Sequence, residues 1–114
     1  MIKWNALTSI VEVNDLVEQS HQQPCLIFKH STRCSISSFA KSRLENDWNL
    51  SEQDIQPFYL DLINYRSVSN FVADHFAIDH ESPQVLLIKD GICVYHTSHL
   101  DISVGGIQQE LAVV

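Results

Sequence analysis

The six residues Cys25-Leu26-Ile27-Phe28-Lys29-His30 form a nearly uninterrupted apolar run. A strand with one wet face alternates apolar and polar residues. A run without alternation reads as a strand covered on both faces, which places it centrally in a sheet with helices above and below. That requirement narrows the fold to the layered α/β class. At 114 residues the chain suits a single domain over 1–114, long enough for one core and too short for two. An apolar share of 45% with 18% charged residues supplies that core without leaving the range of ordinary soluble globular proteins.

The other elements arrange themselves around this strand. Trp4-Asn5-Ala6-Leu7 can form a short first strand, and Ser9 with Glu12 has the spacing of a capping box. The helix that follows has Ile10, Val13, Leu16 and Val17 on one face and runs out at His21-Gln22-Gln23 before Pro24. A second helix is predicted from about Cys34 to Asp47, with Ile36, Phe39, Ala40 and Leu44 inward and Lys41, Arg43 and Glu45 outward. Trp48 and Leu50 pack beneath its end. Pro57 to Leu62 reads as a third strand, and Ser67 to Phe76 as a helix capped by Ser67 that buries Val68, Phe71, Val72 and Phe76. Asp90-Gly91, flanked by Gln84–Lys89 and Ile92–His96, is the strongest hairpin signal in the chain. A last helix from Ser103 to about Leu111 carries Val104, Ile107 and Leu111 on one side, although Gly105 and Gly106 weaken its first turn. The order β-α-β-α-β-α-β-β-α implies a mixed five-stranded sheet flanked by four helices.

The chemistry concentrates in Lys29-His30-Ser31-Thr32-Arg33-Cys34-Ser35-Ile36-Ser37-Ser38, which joins the central strand to the second helix. Cys34 thus falls at the first turn of a helix, where backbone N–H groups lack intrahelical partners and the dipole is positive, so a thiolate is favoured over a thiol. Free cysteines are usually small core residues. Cys34 differs because Arg33, Ser35, Ser37 and Ser38 would be costly to bury around an inert thiol. It is the candidate nucleophile. A dithiol motif would place its second cysteine at 37, where this chain has serine, so the chemistry expected is that of one thiol. From residue 29 to 43 there are Lys29, Arg33, Lys41 and Arg43 and no acid. Arg33 and Lys29 are therefore candidate ligands for a small anion. Ser82-Pro83 stands directly before the fourth strand. A trans proline that merely starts a strand is the commoner reading, whereas a cis bond there would turn the preceding backbone outward.

Residues 44–114 hold two basic and eleven acidic side chains, so the net charge of -7 arises wholly in the second part. Such a chain has no general attraction to nucleic acid or to an anionic membrane. Met1 to Asn5 lacks the apolar core of a signal peptide and no run is long enough to span a membrane, so a cytoplasmic protein is expected. Cys25 and Cys93 read as core thiols, since reducing cytosol disfavours disulfides. His30, His96 and His99 fit no zinc spacing, so no metal is expected. His30 could tune Cys34 electrostatically or orient the Ser31-Thr32 turn by hydrogen bonding.

Taken together, Cys34 after the second strand, Ser37 three residues on and Ser82-Pro83 before the hairpin resemble the thioredoxin superfamily. More closely, Leu26 to Ser37 is similar to the active-site segment of the YtxJ-type proteins of the bacillithiol system, the monothiol bacilliredoxins, and the likeness extends through Trp4, Leu7, the Ser-Pro pair and His96-Thr97-Ser98-His99. The resemblance implies a thioredoxin-like fold with Pro83 cis, and a thiol-disulfide oxidoreductase in which Cys34 removes bacillithiol, or a similar small thiol, from protein mixed disulfides. It implies no bound cofactor, only a low-molecular-weight thiol as co-substrate. The expected partners are S-thiolated client proteins and the small anionic thiol. Ser37 would stabilise the Cys34 thiolate, Arg33 and Lys29 would hold the anion, and Ser82 with Pro83 would pair with the substrate backbone. Two other readings stay open, an iron–sulfur carrier of the monothiol glutaredoxin type and a redox-inert interaction module. A visible cluster band after anaerobic reconstitution would favour the first, and an unreactive Cys34 the second.

Overall fold

In a computed structural model, which describes residues 2–113, five strands form one sheet in the order β1-β3-β2-β4-β5. They are β1 (Asn5–Ala6), β2 (Cys25–His30), β3 (Gln56–Asp61), β4 (Gln84–Lys89) and β5 (Ile92–Ser98). The first three run parallel, whereas β4 is antiparallel to β2 and β5 to β4. The apolar run occupies the middle position, and all six of its residues are buried. Four helices cover the sheet: α1 (Ile10–Gln19), α2 (Ser35–Asp47), α3 (Arg66–Phe76) and α4 (Val104–Leu111).

The pleat of β2 sorts its side chains between two cores. Cys25 and Ile27 join Val13, Leu16, Val68 and Val72 of α1 and α3. Leu26 and Phe28 join Ala40 and Leu44 of α2 and Val104 and Ile107 of α4. Each layer alone would leave one sheet face wet, which the composition of β2 and β4 could not tolerate.

Local chemistry explains the boundaries, with three departures from expectation. Ser9 caps α1 by accepting from Glu12 N at 3.1 Å, but Glu12 reaches back to Thr8 N and Thr8 Oγ1 (2.7 and 2.8 Å) and not to the cap residue. These bonds hold the Glu12 carboxyl below the usual carboxylate range. The third helix starts one residue before the expected cap, with Tyr65 at its N-cap and no side-chain bond there, so Ser67 lies inside the helix. In α2 the buried stripe is Ser37, Ala40 and Leu44, while Ile36 and Phe39 are 43% and 53% exposed. Small residues at 37 and 40 let the helix sit close to β2, and that close approach, not the larger apolar side chains, sets its rotation. In α4, Ser103 caps by accepting from Gly106 N at 3.0 Å, so the glycine pair begins a properly capped turn. At the hairpin, Asp90 and Gly91 both have positive φ (53° and 79°), the backbone that Asp-Gly favours. Its tip is held by Ser20, whose carbonyl accepts from Asp90 N and whose hydroxyl accepts from Gly91 N.

Candidate active site

The chain leaves the carboxyl end of β2, turns through Ser31 to Arg33 and begins α2, with Cys34 as its N-cap. Open α/β sheets place their sites at such strand ends. The Cys34 N–H donates to Ser31 O at 3.2 Å, and the first bond of the helix runs from Ser38 N to Cys34 O at 3.1 Å. The N–H groups of Ser35, Ile36 and Ser37 precede it at the positive end of the helix. The side chain of Cys34 makes no capping bond and the residue is partly exposed. Arg33 beside it is exposed and enters no ion pair among the described residues.

Register brings the second wall to the same end of the sheet. Lys29 pairs with Gln84, so the end of β2 lies beside the start of β4. The Ser82-Pro83 bond there is cis. The Pro83 carbonyl accepts from His99 N at 3.0 Å, and the Ser82 hydroxyl is buried without a hydrogen-bond partner among the described residues.

Two expected roles do not match the geometry. The Lys29 side chain faces away from Cys34 because, on the pleat, it shares the side of Cys25 and Ile27. It is fully buried beneath α3, where Nζ donates to Ser69 O at 3.2 Å and lies 3.3 Å from His80 Nδ1. Burial pushes its pKa down to about 8, and it is not placed to hold an anion beside the thiol. The hydroxyl of Ser37, also fully buried, is engaged by Ser31 N at 3.0 Å and His30 Nδ1 at 2.6 Å rather than by Cys34. The other cysteines stand apart in character. Cys25 is buried in β2 with its thiol pushed up to about 12. Cys93, expected as a core thiol, is instead half-buried on β5 at the edge of the core; burial still raises its pKa, and its sulfur lies 3.3 Å from Tyr95 O. Ser69 and His80 carried no sequence signal beyond the rule that a buried lysine needs partners. Among the described residues no three of His, Cys, Asp and Glu are grouped as metal ligands.

A family model described as monothiol bacilliredoxin BrxC matches residues 5–107. The chain belongs to the monothiol bacilliredoxin BrxC family. A solved structure described as a candidate oxidoreductase with a thioredoxin fold is 30% identical to it, covering 92% of this chain and 90% of that one at a TM-score of 0.79. The thioredoxin of Malassezia sympodialis (12% identity, 97% and 90% coverage, TM-score 0.74) and that of Trypanosoma brucei brucei (11%, 96% and 88%, 0.75) share the fold alone. This bacilliredoxin-family chain is thus a thiol-redox protein with a thioredoxin fold. Among its described residues no helix is long and apolar enough to cross a membrane.

Proposed function

We propose that the protein is a cytoplasmic monothiol oxidoreductase that removes bacillithiol, or a similar small thiol, from protein mixed disulfides. The observation that carries this reading is Cys34 itself. It is the cysteine that combines a helix N-cap, a partly exposed side chain and an adjacent exposed arginine, and position 37 supplies no second thiol. The Cys34 thiolate attacks the small-thiol sulfur of the mixed disulfide. That S–S bond breaks, a new one forms to Cys34, and the client sulfur leaves as a thiolate that takes up a proton. A second small-thiol thiolate then attacks the same small-thiol sulfur, releasing Cys34 and a symmetrical disulfide. Arg33 supplies the positive charge for a carboxylate-bearing thiol. The partly exposed backbone at Ser82, before Pro83 at the same end of the sheet, offers polar groups to an extended client segment.

The test uses a bacillithiolated client and mass spectrometry. Wild type is expected to release client thiol and to accumulate a Cys34 adduct that persists until small thiol is added. Cys34→Ser abolishes release, whereas Cys25→Ser and Cys93→Ser keep it. Rapid formation of an internal Cys34–Cys25 or Cys34–Cys93 bond would overturn the one-thiol mechanism.

A further inference from the structure

The contact between His30 and Ser37 has no place in the exchange steps above, yet Ser37 stands in the first turn of α2, whose N-cap is Cys34. Both side chains are buried, His30 at 4% exposure and Ser37 at 0%. Ser37 Oγ can only accept from Ser31 N–H, and it carries a single hydrogen of its own. The 2.6 Å approach to His30 Nδ1 is a hydrogen bond whose direction depends on the tautomer of the ring. Among the described residues the hydroxyl hydrogen has no other acceptor, and directed at Nδ1 it leaves the imidazole its own hydrogen on Nε2. The ring packs against Phe28 (centroids 5.7 Å apart) and Tyr59 (5.6 Å). Burial, then the Lys41 charge, lower the pKa of His30, against Asp61, a hydrogen bond to the Ser37 backbone and Glu45, so the neutral ring is favoured.

We propose that His30 is a positioning residue of the exchange reaction. Through Nδ1 it takes the Ser37 hydroxyl hydrogen, leaves Ser37 Oγ as acceptor for Ser31 N–H, and so holds the turn that presents Cys34. Cys34 and Ser37 stand as N-cap and N3 of α2, the two positions whose side chains adjoin in a capping box. In this arrangement Ser37 has no hydrogen left to donate to the Cys34 sulfur. The stabilisation of a thiolate then falls to the backbone N–H groups of Ser35 and Ile36 and to Arg33. The proposal rests on the reading of Cys34 as the reacting thiol.

Two measurements test it. Nitrogen-15 spectra of the wild-type imidazoles at neutral pH are expected to show His30 protonated on Nε2 with Nδ1 bare; a hydrogen on Nδ1 overturns the proposal, whether or not any variant folds. The second is the rate at which Cys34 reacts with 2,2′-dipyridyl disulfide, a neutral probe that needs no anion site. His30→Phe, which keeps the ring stack, is expected to slow it about ten-fold, and Ser37→Ala by a similar factor. His30→Asn restores an acceptor and recovers most of the rate. His30→Phe combined with Ser37→Ala is no slower than Ser37→Ala alone, because both remove one contact. Multiplying penalties, or a His30→Phe variant as fast as wild type, overturn the role of His30 while leaving Cys34 in place. A wild-type Cys34 that ignores the probe overturns the assignment of the thiol and this proposal with it.

Discussion

Lys29 and His30 are consecutive, yet one serves the α1/α3 layer and the other the α2/α4 layer. The alternation of a strand could have told them apart from the sequence, since Lys29 has the parity of Cys25 and Ile27 and His30 that of Leu26 and Phe28. Proximity in the chain made Lys29 look like an anion ligand; the pleat makes it a buried base instead. Its depressed pKa of about 8 has a defined signature. Between that value and the ordinary lysine pKa the unfolded chain binds more protons than the native one, so stability rises with pH across the window. The stability of wild type relative to Lys29→Met is therefore expected to increase by about 3 kcal/mol between pH 8 and pH 10.5. Urea titrations of both proteins through that range measure it, and a constant difference would refute the burial of a charged amine. Cys34 and Arg33 were legible because residue type and a helix start suffice to place them. The partners of Ser37 were not, because a buried hydroxyl takes whichever groups the tertiary structure brings within reach.

At the level of elements, β2 and the β4–β5 hairpin were readable since each follows from a local pattern, an unbroken apolar run and an Asp-Gly turn. The rotation of α2 was not readable from hydrophobicity. Its buried stripe contains a serine and an alanine, and two large apolar residues face outward, where the Arg43 guanidinium lies 5.8 Å from the Phe39 ring centroid and donates to Leu100 O. Close approach to the sheet outweighed side-chain burial there. The two glycines of α4 show the same competition between propensity and space. A methyl group at Gly105 would meet nothing within 4 Å, whereas one at Gly106 would stand 2.9 Å from Tyr95 Oη and 3.2 Å from Ser103 Oγ. Gly105→Ala is expected to stabilise the protein by about 1 kcal/mol, raising Tm by about 4 °C. Gly106→Ala gains the same propensity but must displace Tyr95 and strain the cap, so its Tm falls below that of Gly105→Ala. Thermal melts of the two variants that coincide would remove the packing explanation for Gly106.

Across the whole molecule, charge is distributed against its own average. The chain is acidic overall at -7, yet the strand end that carries Cys34 presents the exposed Arg33, and Arg66 opens α3 at the carboxyl end of the parallel neighbour β3. A small anion would meet repulsion from most of the surface and attraction at this end. Arg33→Glu is expected to slow reaction of Cys34 with a carboxylate-bearing disulfide by about ten-fold more than reaction with a neutral one. Raising the ionic strength to 1 M, where the screening length is about 3 Å, should close most of that gap. Equal slowing of both probes would mean that Arg33 acts on the sulfur alone. With Lys29 buried, this selectivity depends on fewer cations than the basic run 29–43 suggests.

The pairing of Ser37 with His30 also bears on the chemistry open to such a chain. Serine and cysteine differ only in oxygen against sulfur, so Ser37→Cys is the smallest change that would add a second thiol. That cysteine would inherit a space fitted to oxygen. Sulfur cannot sit 2.6 Å from an imidazole nitrogen without overlap, and it is a poor acceptor for the Ser31 N–H. Two-thiol chemistry at this turn would thus require His30 to be replaced and the turn rebuilt along with the Ser37→Cys change, so the single thiol is locked in by the packing behind it.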